Sequence, residues 1–73
     1  MPTVDITHEP KGVFWNALDA SAPGDEILYH IGHHASGSHK ADALAASTAG
    51  MCFLYQRRAE GGFFAYFARK PKK

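Results

Sequence analysis

Two β-rich runs, Gly50-Met51-Cys52-Phe53-Leu54-Tyr55-Gln56-Arg57-Arg58 and Phe63-Phe64-Ala65-Tyr66-Phe67-Ala68-Arg69-Lys70, flank the segment Ala59-Glu60-Gly61-Gly62. Aromatic residues suit a pleated, half-buried surface, and adjacent glycines supply the backbone freedom of a tight reversal, so this stretch predicts a hairpin. A two-residue Glu60-Gly61 turn sets Tyr55 opposite Tyr66 and Leu54 opposite Phe67, whereas a Gly61-Gly62 turn sets Leu54 opposite Arg69 and Gln56 opposite Phe67. The first register matches like with like and is preferred; a three-residue loop with a bulge would shift the pairing by one. In the preferred register Leu54, Phe63, Ala65 and Phe67 share one face, while Phe53, Tyr55, Phe64 and Tyr66 share the other. Neither face is plainly polar, so one is expected to cover the core and the other to bind something.

The rest of the chain must supply that core within 73 residues. A single domain of this size gains only roughly 3–5 kcal/mol from its core unless a disulfide, metal or partner helps. Cys52 is the only cysteine and cannot form an internal disulfide. No apolar run approaches the ~20 residues of a membrane span, and none has the shape of a signal peptide. A soluble, intracellular monomer is expected, without membrane contact. Net charge is only +1, but the charges are segregated. Residues 1–56 set Lys11 and Lys40 against Asp5, Glu9, Asp19, Asp25, Glu26 and Asp42, a net −4. Residues 57–73 set Arg57, Arg58, Arg69, Lys70, Lys72 and Lys73 against Glu60, a net +5. The basic end suits nucleic acid or an acidic protein surface.

Met1-Pro2-Thr3-Val4-Asp5-Ile6-Thr7-His8 alternates weakly, and Pro10-Lys11-Gly12 ends whatever it forms, so residues 1–9 read as an edge strand or, preferably, a mobile tail. Phe14 and Leu18 stand four apart in Val13-Phe14-Trp15-Asn16-Ala17-Leu18-Asp19-Ala20, which predicts a short helix before Ser21-Ala22-Pro23-Gly24. Trp15 is either part of a lid on the core or an exposed anchor for a partner. Asp25-Glu26-Ile27-Leu28-Tyr29-His30-Ile31 alternates as a half-buried strand, with Ile27, Tyr29 and Ile31 on one side and Glu26, Leu28 and His30 on the other. Ser38 reads as an N-cap for a helix over residues 39–49, stopped by Gly50. The expected inward stripe of that helix is Ala41, Leu44, Ala45 and Thr48. Residues 71–73 close the chain as a frayed basic tail.

These elements predict an α+β fold in one small domain. One strand and one central helix pack on a C-terminal β-hairpin, with a short N-terminal helix or turn. The order resembles a winged-helix domain shortened by one helix. An Ala-rich helix whose only permanent cation is Lys40 is poorly equipped to read bases, so sequence-specific DNA recognition is not expected.

Several side-chain groups invite a chemical reading. His30, His33, His34 and His39 are close in sequence, and His8 and Cys52 could approach them. No paired cysteines define a closed tetrahedral zinc site, so the alternative is a polar loop that gains charge in mild acid. Cys52 lies within a predicted strand and reads as a small core residue. The carboxylates form no spaced pair, and no glycine elbow or phosphate-binding glycine loop is present, so no catalytic residues, cofactor or metal are expected. Arg57, Arg58, Phe64, Tyr66 and Trp15 are the candidate partner-binding residues. Arg69, Lys70, Lys72 and Lys73 are the candidates for proximity to nucleic acid. Arginine mixed with aromatics is the composition of interface cores and of single-strand platforms; as an ordinary surface it would serve solubility and edge protection.

The whole arrangement, from Met1-Pro2-Thr3-Val4-Asp5-Ile6 through the helix after Ser38 to Phe53-Leu54-Tyr55-Gln56-Arg57-Arg58 and Gly61-Gly62-Phe63-Phe64-Ala65-Tyr66-Phe67-Ala68-Arg69, resembles the small RNA-polymerase-binding transcription regulators of Xanthomonas-infecting lytic phages. The resemblance implies a protein of the host bacterial cytoplasm that docks on the amino-terminal part of the polymerase β′ subunit. It further implies suppression of promoter-dependent initiation and antitermination near the RNA-exit channel, where nascent RNA is within reach, with the elongation factor NusA as a further partner. It assigns no contact residues. Two other readings stand beside it: a small nucleic-acid-binding module, and a zinc-stapled interaction mini-domain.

Overall fold

The computed structural model describes residues 3–34 and 37–71. The order is β1 (Thr3–Asp5), α1 (Val13–Ala20), β2 (Glu26–Gly32), α2 (Ser38–Thr48), β3 (Phe53–Arg58), a 3₁₀ turn (Glu60–Gly62) and β4 (Phe64–Arg69). The four strands form one mixed sheet in the order β1-β2-β4-β3, with β1 parallel to β2 and the other pairs antiparallel. This is a small α+β domain in which the expected run of short helix, strand, helix and hairpin is present, preceded by one further strand, β1; the shortened winged-helix order is therefore not confirmed. Residues 1 and 2 lie outside the described residues; from Thr3 on, the edge strand weighed against a mobile tail is what forms. Thr3–Asp5 pairs with β2, the Ile6 N–H donates to the Leu28 carbonyl at 3.0 Å, and the Ile6 side chain is buried.

α1 forms where Gly12 takes a left-handed φ of 94° and Phe14 and Leu18, one turn apart, both enter the core. Ser21 ends it in extended backbone, its hydroxyl donating to the Ala17 carbonyl at 2.7 Å. Lys70, at the end of β4, reaches back and donates through Nζ to the Leu18 and Ser21 carbonyls at 3.0 and 2.8 Å. A cation on the last carbonyls of a helix satisfies groups that have no intrahelical partner and complements the helix dipole.

α2 starts at Ser38 itself, with Gly37 at the N-cap and no side-chain cap, so the proposed Ser38 cap is corrected. Its end follows the sequence reading: Gly50 adopts a φ of 77°, the Gly50 N–H donates to the Ser47 carbonyl, and the Met51 N–H donates to the Ala46 carbonyl. That paired reversal is the Schellman arrangement. The inward stripe is His39, Ala43 and Ala46, on the side opposite the expected Ala41, Leu44, Ala45 and Thr48, all four of which are exposed. The space between α2 and the sheet is already occupied by rings from other elements, Phe14, Tyr29 and Tyr66, and only alanine lets the helix settle over them. His39 fixes the placement by donating from Nε2 to the Glu9 carbonyl at 3.1 Å.

A bulge at Tyr29 interrupts the β2–β4 ladder, with Leu28 opposite Phe67 but His30 opposite Tyr66. Inserting one residue reverses the alternation beyond it. Tyr29 stays in the core, His30 turns to the Tyr66 ring with centroids 5.7 Å apart, and Ile31 is 49 % exposed instead of joining Ile27 inside. In the hairpin Tyr55 opposes Phe67, Gln56 opposes Tyr66 and Leu54 opposes Ala68, one residue away from the preferred register. The cause is a three-residue loop, Glu60–Gly62, the alternative that shifts the pairing by one. Gly61 and Gly62 both take positive φ in the turn, and the Ala59 N–H donates to the Phe63 carbonyl at 2.8 Å, closing a reversal that holds five residues between Arg58 and Phe64.

Both helices pack on the sheet face carrying Ile27, Tyr29, Tyr66 and Ala68, and with Ile6 and Cys52 they enclose a single core. Among the described residues no helix covers the opposite face of the sheet.

Candidate functional site

Register and alternation determine what the open face presents. Glu26 and Leu28 of β2, Phe67 and Arg69 of β4, and Phe53, Tyr55 and Arg57 of β3 share it, and Thr3 of β1 stands beside Glu26. Tyr55 stacks on its cross-strand partner Phe67 with centroids 5.2 Å apart and planes 13° from parallel. The Arg57 guanidinium lies over both rings, 5.0 Å from the Phe67 centroid and 5.5 Å from that of Tyr55, and the Arg69 guanidinium lies 5.3 Å from the Tyr55 centroid. Cations over ring faces are attracted by the ring quadrupole and keep the arginine planes at fixed positions.

Glu26 is the centre of this array. It is buried, it accepts hydrogen bonds from the Tyr55 hydroxyl and, at 3.2 Å, from Thr3 Oγ1, and it pairs with Arg57 Nη2 at 3.6 Å and Arg69 Nη2 at 3.7 Å. The Tyr55 bond is the main reason its carboxyl titrates below the ordinary glutamate range; the Thr3 bond and both guanidiniums act in the same direction, against its burial. Tyr55 is pushed the other way, first by burial and then by the carboxylate it donates to. The result is an aromatic–arginine surface held on one buried anion, with more positive than negative charge. Phe53, 64 % exposed, extends it along the outer strand.

The candidate residues do not all arrive here. Arg57 and Arg69 are brought together. Arg58 opposes Phe64 on the helix side of the hairpin; Phe64 packs against the core and Tyr66 lies within it, so neither aromatic joins Arg57. Trp15 is on α1, in a cleft with Leu18, Asp19, Met51 and Lys70. Lys70 is held by the α1 carbonyls instead of projecting toward a polyanion. Lys72 and Lys73 lie outside the described residues. Glu26, Tyr55 and Phe67 were missed as a unit because sequence alternation pairs a strand's own residues but not β2 with β4.

The histidines disperse. His33 stacks on Phe63 at 4.4 Å, His30 faces Tyr66, His39 is tied to Glu9, and His8 and His34 are exposed. Among the described residues no three His, Cys, Asp or Glu side chains gather as a metal would require. Cys52 is buried with its Sγ 4.0 Å from the Ala43 carbonyl, and burial raises its thiol pKa, the opposite of what a nucleophile needs. No helix among the described residues is long and apolar enough to cross a membrane. Compared with protein-family models, with curated proteins and with solved structures, the chain shows no significant match.

Proposed function

We propose that this protein is a phage-type transcription regulator that works by docking on host RNA polymerase, inhibiting promoter-dependent initiation and promoting antitermination. The observation that carries the docking reading is the uncovered sheet face, where Tyr55, Phe67, Arg57 and Arg69 form a preorganised array around buried Glu26. Tyrosine and arginine dominate interface energetics because they bury large, rigid surfaces at low entropic cost, and here their rotamers are already held before any partner arrives. The choice of polymerase as partner rests on the full-length resemblance to the phage regulators. Steric occupation near the RNA-exit channel asks for no reaction. A docked domain disfavours an initiation factor by as much as it prefers the polymerase state which that factor does not bind. At the exit channel the same bulk keeps emerging RNA from folding into a terminator hairpin.

A protein surface is favoured over nucleic acid by Glu26, which compensates part of the arginine charge where a phosphate would sit. Phe67 is also buried beneath its neighbours, and so offers no free ring face for a base. Size-exclusion chromatography of the purified protein with host RNA polymerase core enzyme tests the reading. Co-elution is expected for the natural chain and for Trp15→Ala, and its loss for Arg57→Glu with a natural circular-dichroism spectrum. Absence of co-elution of the natural chain overturns the polymerase assignment; co-elution of Arg57→Glu moves the interface off the open face.

A further inference from the structure

The two edges of the sheet are treated differently. β1 is a three-residue strand, short enough to offer little to pair with, and it carries Asp5. β3 is six residues long, pairs with β4 through six consecutive positions without a bulge, and has no neighbour on its other side among the described residues. Its first four residues, Phe53-Leu54-Tyr55-Gln56, are uncharged. Proteins ordinarily blunt a free edge by shortness, a bulge, proline or a charge, because its unpaired N–H and C=O groups are a template for another strand. Over these four residues β3 has none of the four devices.

Directly beside this edge lies a groove of about 280 Å³ between α2 and β3, with Tyr55 of the Glu26 array also in its lining. Lys40 and Leu44 of α2 form one wall, Leu54 and Gln56 of β3 the other, and Tyr29 and Tyr66 the floor. Leu44 is 54 % exposed, a large aliphatic side chain turned away from the core toward this opening. Alternation carries Arg58 onto the same side of β3 as Leu54 and Gln56, at the far end of the groove from Cys52. Neither Lys40 nor Arg58 forms an ion pair among the described residues, in contrast to Arg57 and Arg69, which share Glu26.

We infer that the β3 edge and the α2–β3 groove form a second binding site, for an extended acidic peptide segment of another protein that adds to the sheet as a fifth strand. Main-chain pairing along residues 53–58 supplies the affinity common to such strand additions. Alternate side chains then divide by chemistry: apolar ones enter between Leu44 and Leu54, and carboxylates meet Lys40 and Arg58. Charge disfavours a second copy as the occupant, since pairing β3 with itself gathers the Lys40 and Arg58 of both copies, neither in an ion pair among the described residues, at one interface. A nucleic acid cannot continue a backbone ladder.

The test selects ligands without any polymerase, so its outcome is independent of the reading above. A library of random twelve-residue peptides displayed on phage is selected on the immobilised full-length protein, and the best synthetic peptide is titrated into ¹⁵N-labelled protein. Enrichment of acidic sequences with alternating apolar residues is expected, with amide shifts concentrated at residues 40–44 and 53–58. Lys40→Glu with Arg58→Glu, both at exposed positions, should weaken binding at least tenfold while leaving the spectrum folded. Methylating alternate backbone nitrogens of the peptide should abolish binding. Four outcomes overturn the inference: no enrichment over a blank surface, enriched sequences without acidic residues, shifts centred away from β3, or unchanged affinity of the methylated peptide. Concentration-dependent dimerisation lost in the same double variant would assign the edge to a second copy and likewise overturn it.

Discussion

Replacing Glu26 by alanine tests whether the open face is an assembled unit or a set of independent surface residues. The substitution removes the acceptor of the Tyr55 and Thr3 hydroxyls and the anion shared by Arg57 and Arg69. A hydrogen bond to a charged group contributes about 1.5–3 kcal/mol, and the Tyr55 bond belongs in that class. The arginine side chains are 58 % and 36 % exposed, so water replaces the lost anion, and each ion pair adds only about 0–1 kcal/mol. Together these come to about 1.5–5 kcal/mol, so a drop of at least roughly 6 °C in melting temperature is expected in a domain of this size. Glu26→Gln keeps an acceptor for Tyr55 and should lose less. It should also change the pH dependence. The folded carboxyl titrates below its ordinary value of 4.5, so its contribution is present above that pH and is lost as pH falls through the folded value. The gap between the natural chain and Glu26→Gln should thus be widest near neutrality and close in acid. Thermal melts followed by circular dichroism from pH 7 to pH 3 measure both effects. A melting point for Glu26→Ala within 2 °C of the natural chain at pH 7, a tolerance of about 0.5 kcal/mol or less, would refute the account of this face.

Phe14 is completely buried at the centre of the core, and Phe14→Ala should cost about 3–5 kcal/mol, enough in so small a domain that urea titration finds it largely unfolded. Gly50→Ala places a Cβ in open space but at a φ of 77°, so a loss of about 1–2 kcal/mol measured by the same titration would be purely a backbone effect. Lys70→Met removes both bonds to the end of α1 and should lower stability by about 1–2 kcal/mol, with faster amide exchange expected over the last turn of that helix. Because the histidines diverge, EDTA added to protein purified without chelator should leave the melting temperature unchanged; a fall of many degrees would revive the zinc-stapled reading.

Local chemistry made several elements legible in the chain alone. The Phe14–Leu18 spacing specified α1, the Gly50 stop specified the end of α2, and the aromatic runs around Gly61-Gly62 specified a hairpin, because each depends on residues within a few positions of one another. The single cysteine likewise leaves these 73 residues without an internal disulfide. What tertiary structure decided was everything that depends on which side of an element meets which neighbour. The inward face of α2 went to Ala43 and Ala46 because rings from α1, β2 and β4 had already taken the volume that Leu44 would have needed. Ile31 left the core because a bulge at Tyr29 reversed a period-two pattern that reads as continuous in sequence. Arg57 and Arg69 became a pair, and Arg58, Phe64, Tyr66 and Lys70 were sent elsewhere, because a five-residue reversal set the hairpin register one position from the one that local matching preferred. Glu26 became the centre of the candidate site only when β2 lay between β1 and β4. Thr3 and Tyr55 lie 23 and 29 residues from it in the chain, and no periodicity spans such distances; the sheet alone brings them within hydrogen-bond reach.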